Sequence, residues 1–251
     1  MRSLGVFIGL RFGIDMNLFP SNPAEGIPSY LDEVRSPDKR LRMRYFASGD
    51  PYQLGTFYPI ALLQDSTAST IGADNGLYAE QYTNTSSGND AAVRLTAFEE
   101  IPPFADSLYI AKYRVLDNTD IRVFVGWSTL IFNQVNDNDT LTADSVGFQF
   151  STNRGDTNWQ LVTNNGGTQT TTNSGLAFST SQIYIMEIEF SGVGTSVRFR
   201  ISDENFNVLM NDTVVTSNLP TASSDVSPLL GIQTLTTAAK TCRFYFTEVW
   251  Y

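Results

Sequence analysis

Two glutamates stand two residues apart in the segment MEIEF, Glu187 and Glu189. Residues i and i+2 of a strand share one face, with Cα atoms about 6.5–7 Å apart. Carboxylates placed so can flank a sugar, one as acid and the other as base or nucleophile, and hydrolyse a glycosidic bond. The strand carries no third acid in step, since it runs on to Ser191. The expectation is therefore an exposed acidic strand face and no catalytic residue.

VNDNDTLTAD gathers Asp137, Asp139 and Asp144 beside Asn136 and Asn138. Calcium takes several hard oxygens from one loop, and this spacing supplies three or four of them. The segment lacks the fixed glycine and terminal glutamate of an EF-hand, and Asn and Asp are also what tight turns use. These three aspartates are the weak metal candidates; calcium is the one cofactor the spacing admits, and no other is expected. Arg154-Gly155-Asp156 spells the tripeptide that cell-adhesion receptors read. It lies between SVGFQFS and NWQLVT, two alternating runs, where Gly tolerates positive φ and Asp folds onto its own backbone. It reads as a turn.

The chain has no histidine, which removes the commonest general base and metal ligand. Its single cysteine, Cys242, has no partner for an internal disulfide and no His to activate it. In TCRFYFTEVW the alternation puts Cys242, Phe244, Phe246 and Trp250 on one face, so the thiol reads as buried and structural. No phosphate-binding glycine loop and no nucleophile elbow occurs.

RSPDKRLRMRY concentrates Arg35, Lys39, Arg40, Arg42 and Arg44 in a chain with only 16 basic residues and a net charge of −10. On a strand over 40–46, Arg40, Arg42 and Arg44 project from one face while Leu41, Met43 and Tyr45 face the core. This is either a solvated strand face or a docking strip, since acidic subunits need local positive patches to attract an acidic neighbour. The overall acidity, with a pI near 4.4, argues against nucleic acid as a partner.

The elements that carry these residues are strands. IRVFVGW sets Ile121, Val123, Val125 and Trp127 on one face. TSVRFRIS opposes Val197, Phe199 and Ile201 to Arg198 and Arg200, and YIMEIEF aligns Tyr184, Met186, Ile188 and Phe190. Connectors such as NDNDT, NRGDTN, NNGGTQTTTNSG and SGVGTS separate such runs. Many short strands with Gly/Asn turns predict an all-β antiparallel sandwich or jelly roll. Residues 45–251 form that domain in this reading. Residues 1–44, with four prolines between Phe19 and Asp38 and no clean period, read as an extended N-terminal arm. The opening MRSLGVFIGLRFGIDM lacks the length and cleavage site of a signal peptide, and no run of about twenty apolar residues exists to span a bilayer. A soluble, unprocessed protein with no membrane partner is expected.

From RVFVGWS through DSVGFQFSTNRGDTNWQLVTNNGGTQTTTNSG, YIMEIEF and VRFRISD to SPLLGIQTLTTAAKTCRFYFTEVWY, the chain resembles structural proteins of tailed phages and related viruses with a concanavalin A-like sandwich. GTFYPIALL and NGLYAEQYT resemble the opening strands of viral fibre and decoration domains. The resemblance implies a non-enzymatic virion surface protein: a head decoration or cement protein, or a head or tail fibre. Its partners would be the major capsid protein and copies of itself, taken as a trimer. It would be made in the host cytoplasm and docked through the arm and its arginines. Glycosidases sharing the sandwich carry an E-x-D-x-E strand, which MEIEF does not complete. The alternative is a carbohydrate-binding, lectin-like module for host surface glycans, with Trp127, Trp159 and the 164–172 loop as candidate contacts. Trp127 lies on the apolar phase of its strand, which favours the core.

Overall fold

The structure, a computed structural model, describes residues 41–46, 60–63, 69–73, 77–83, 90–95, 107–129, 139–142, 144–191, 195–220 and 227–250. They form strands β1 (Leu41–Phe46), β2 (Ile60–Leu63), β3 (Ser69–Ala73), β4 (Leu77–Tyr82), β5 (Asp90–Leu95), β6 (Leu108–Val115), β7 (Ile121–Ser128) and β8 (Ser145–Ser151). The remainder are β9 (Asn158–Asn165), β10 (Thr168–Ala177), β11 (Tyr184–Ser191), β12 (Ser196–Asp203), β13 (Val208–Val215), β14 (Ser227–Thr234) and β15 (Thr241–Trp250). No helix occurs among the described residues.

Every pairing is antiparallel, and the strands make two sheets. One has eight strands in the order β13-β12-β11-β6-β15-β4-β3, with β1 pairing the second half of β15. The other has seven, in the order β10-β9-β8-β7-β14-β5-β2. This is the expected all-β sandwich, a concanavalin A-like jelly roll. The first described strand, Leu41–Phe46, falls within the 40–46 run read as a strand from the sequence.

Period-two alternation dictates what lies between the sheets. Ile121, Val123, Val125 and Trp127 from β7 meet Tyr184, Met186, Ile188 and Phe190 from β11 and Val197, Phe199 and Ile201 from β12 in one core. Trp127 stands edge-on to Tyr109 at 5.8 Å and to Phe190 at 6.2 Å, so one indole joins both sheets. Aromatic pairs in this geometry are stabilised beyond their buried area, by about 0.5–1.5 kcal/mol each.

Three expectations need correction. Trp159, a candidate sugar contact, is fully buried and stacks edge-on to Tyr184 at 5.5 Å. Its strand alternates Trp159, Leu161, so the argument that places Trp127 in the core applies to it as well. The 164–172 segment is a strand hairpin and not a loop: Gly166 (φ 57°) and Gly167 (φ 109°) turn the chain, and the Thr-rich run continues as β10. Third, Cys242, Phe244, Phe246 and Trp250 do not share a face. A bulge at Tyr245 adds one residue to β15 against β6, so Phe244 pairs with Tyr113 but Phe246 with Lys112. From there the phase is reversed. Thr247 turns to the core side opposite Ala111 and donates its hydroxyl to the Ile110 carbonyl at 3.0 Å.

Candidate ligand-binding surface

Three features of the sequence converge on the outer face of the seven-stranded sheet: the Asp139–Asp144 segment, the Arg154-Gly155-Asp156 turn, and the β9–β10 hairpin. Asp139 is the hub. Arg122, on the outward phase of β7, donates from Nε to Asp139 Oδ1 at 2.8 Å and from Nη1 to Gln233 Oε1 of β14 at 2.6 Å. Asn153 donates to the other carboxylate oxygen at 2.8 Å. Arg154 reaches the Asp139 carbonyl at 3.1 Å and the buried Gln149 Oε1 at 2.6 Å.

The adhesion tripeptide is a turn, as its neighbours required. Gly155 takes φ 78° between β8 and β9. Arg154 Nε and Nη2 clasp the two oxygens of Asp156 at 2.9 and 2.6 Å, and Asp156 also accepts the Ser151 amide at 2.9 Å. The Asp156 side chain is only 7 % exposed, so an incoming receptor would find both charged groups already engaged with each other.

The hairpin holds the 139–144 segment from its other side. Gln169 accepts the Leu141 amide at 2.7 Å and donates to the Asp139 carbonyl at 3.2 Å. Asn164 donates to the Leu141 carbonyl at 2.7 Å, and Asp144 accepts the Gly166 amide at 2.6 Å. What remains outward is Thr140, Thr142, Asn165, Thr168, Thr171 and Asn173, all exposed, on a backbone fixed by side-chain bridges. The large hydrophobics that are exposed among the described residues are Val208, Leu209 and Val214 on β13, so the described residues of this surface offer hydrogen bonds and no exposed aromatic ring.

The calcium expectation meets an obstacle here. Both Asp139 carboxylate oxygens accept donors, one of them a guanidinium, and Asp144 caps the hairpin turn. Asp137 lies outside the described residues. Among the described residues no group of three or more acidic, Cys or His side chains is placed to hold a metal. Burial alone would raise the Asp139 carboxyl, but hydrogen bonds from Arg122 and Asn153 outweigh it and hold the group below the usual carboxylate range. A carboxyl so depressed binds its proton more weakly folded than unfolded. Its contribution is complete above the unfolded value and disappears as pH falls through the lower, folded one. Thermal melts between about pH 5 and 2 should show this acid limb, and Asp139→Asn should flatten it.

The two glutamates are not an exposed face. Glu187 and Glu189 are buried, at 3 % and 8 % exposure, because β12 sets Arg200 and Arg198 directly opposite them in register. Glu189 is ion-paired with Arg198, and Arg198 also meets Asp212 of β13 at 3.3 Å. The outer face of the eight-stranded sheet therefore alternates in sign from β13 to β12 to β11, and the Glu189 carboxylate is committed to structure. Of the proposed docking residues, Arg42 and Arg44 fall on β1, with Arg44 in register with Glu248. Arg35, Lys39 and Arg40, like all of residues 1–40, lie outside the described residues.

Two facing antiparallel sheets of this topology define the concanavalin A-like, lectin-type sandwich. More narrowly, residues 104–245 match the family described as SO2946-like, C-terminal domain, and the chain belongs to that family. The fold is similar to the protein of unknown function SO2946 from Shewanella oneidensis MR-1, at TM-score 0.61 and 12% identity over 84% of this chain and 86% of that one. It is also similar to peanut lectin, at TM-score 0.52 and 6% identity over 85% and 98% of the two chains. A third similar structure is the exoplasmic/lumenal domain of VIP36 in its Ca2+/Man2-bound form, at TM-score 0.54 and 10% identity over 84% and 88%. At these identities the likeness is one of fold. No curated protein matches the sequence. Nothing in the similarities points to a virion.

Proposed function

We propose that the chain is a non-enzymatic carbohydrate-binding module that takes a hydroxyl-rich ligand on the surface built by residues 139–142 and the β9–β10 hairpin. The observation that carries the reading is the way Gln169, Asn164 and Asp144 fix the backbone of that segment, leaving a set of threonine hydroxyls and asparagine amides outward in a rigid array. Sugars present donors and acceptors at fixed spacing, and a pre-organised array meets them without a further ordering cost. The lectin-type sandwich supports the same reading. Recognition through this hydrogen-bonding array predicts modest affinity, since each such bond nets only about 0.5–1.5 kcal/mol.

A glycan array on the purified chain tests this. Saturable binding to a defined subset of glycans is expected; an array on which nothing binds overturns it. Gln169→Ala removes both bridges to the 139–142 segment and should weaken binding roughly tenfold, the equivalent of about 1.4 kcal/mol. The virion reading drawn from the sequence has no structural observation in its favour and is not carried forward.

A further inference from the structure

We propose that the Asp139–Asp144 segment is pinned by an internal cation, the Arg122 guanidinium, in the role a bound divalent ion would otherwise fill, so that the polar surface forms without metal. The inference concerns the fold of this surface and stands apart from what ligand the surface takes.

It rests on where the oxygens of the segment point. A calcium loop offers six to eight oxygens, carboxylate and backbone carbonyl, to one centre at about 2.3–2.6 Å. Here all three Asp139 oxygens, the Leu141 carbonyl and one Asp144 carboxylate oxygen are taken by hydrogen-bond donors. Asp139 Oδ1 accepts from Arg122 Nε and Oδ2 from Asn153. The Asp139 carbonyl accepts from Arg154 and Gln169, the Leu141 carbonyl from Asn164, and Asp144 Oδ1 from the Gly166 amide. Two of these donors are guanidiniums, which carry their charge at every pH a protein survives. A cation approaching Asp139 would have to displace a positive group that is itself only 5 % exposed and anchored at its far end to Gln233. The fork geometry matters: Nε serves one strand-external carboxylate while Nη1 serves the neighbouring strand, a division that a lysine ammonium cannot reproduce.

Hydrogen exchange of the full chain, read on peptides covering residues 139–144, decides the matter. The Leu141 amide is the reporter, since it is held by Gln169. In the native chain, exchange there and the thermal midpoint are expected to be the same with chelator and with millimolar calcium chloride. Arg122→Gln is expected to speed exchange of Leu141 at least about tenfold, the loss of one charge-assisted hydrogen bond, and Arg122→Lys is expected not to restore protection. The proposal is overturned if calcium slows exchange or raises the midpoint of the native chain, or if Arg122→Gln leaves the segment as protected as before. Should Arg122→Gln fail to fold, the two arms on the native chain still decide, because a metal-held segment must respond to chelation.

Discussion

Trp127→Ala is expected to lower stability by about 3–5 kcal/mol, the range for truncating a fully packed aromatic. For a domain of this size that moves the thermal midpoint down by roughly 10 °C. The size follows from position: Trp127 has no exposed surface, and its ring touches Tyr109 of β6 and Phe190 of β11, both on the opposing sheet. Removing it opens a void between layers that neither sheet can close without bending. Calorimetry of the purified variant checks this, and a loss under about 1 kcal/mol would show that the indole does not bridge the layers.

Gly126→Ala should cost about 3 kcal/mol, at the upper end for overpacking. A methyl at this position would sit 2.2 Å from the Val146 carbonyl oxygen and 2.5 Å from the Gly147 Cα. Both are backbone atoms of the paired strand β8, so no side chain can rotate aside, and β7 and β8 would have to separate at the middle of their ladder. Gly147 stands directly opposite, in register, and the Phe124 ring lies over the space its side chain would take. Gly155→Ala is the control. Its Cβ would meet nothing within 4 Å, so only the left-handed backbone penalty of roughly 1 kcal/mol applies. Urea titration of the pair should separate the two glycines clearly; equal losses would mean that the close approach of β7 and β8 is not what excludes a side chain at Gly126.

The inner faces of the strands were readable because alternation is a local signal: Ile121, Val123, Val125 and Trp127 had to be buried together or not at all. The same rule would have placed Trp159 in the core, since Leu161 follows it in step. The buried state of Glu187 and Glu189 left a trace too, in the matching alternation of Arg198 and Arg200 one strand later, but only the register shows that the charges face each other. The bulge at Tyr245 left only the break at Glu248 and Val249, where the alternation of TCRFYFTEVW fails; the extra residue itself is visible only against β6. The candidate surface was legible in pieces. The Asp cluster, the Arg-Gly-Asp turn and the Asn-Gly-Gly hairpin each stand out in the sequence. That Arg122 from β7 and Arg154 from the turn both reach Asp139 is a contact between distant segments, which no spacing encodes.

The proposed ligand-binding surface joins residues 139–142 to the β9–β10 hairpin. Amide chemical-shift mapping during titration with a glycan identified on the array tests it most directly. Saturable shifts are expected at Thr140–Thr142 and Asn165–Thr171, with the β12–β13 edge unmoved. Shifts clustered on the outer face of the eight-stranded sheet, or on β13 around Val208 and Val214, would contradict it.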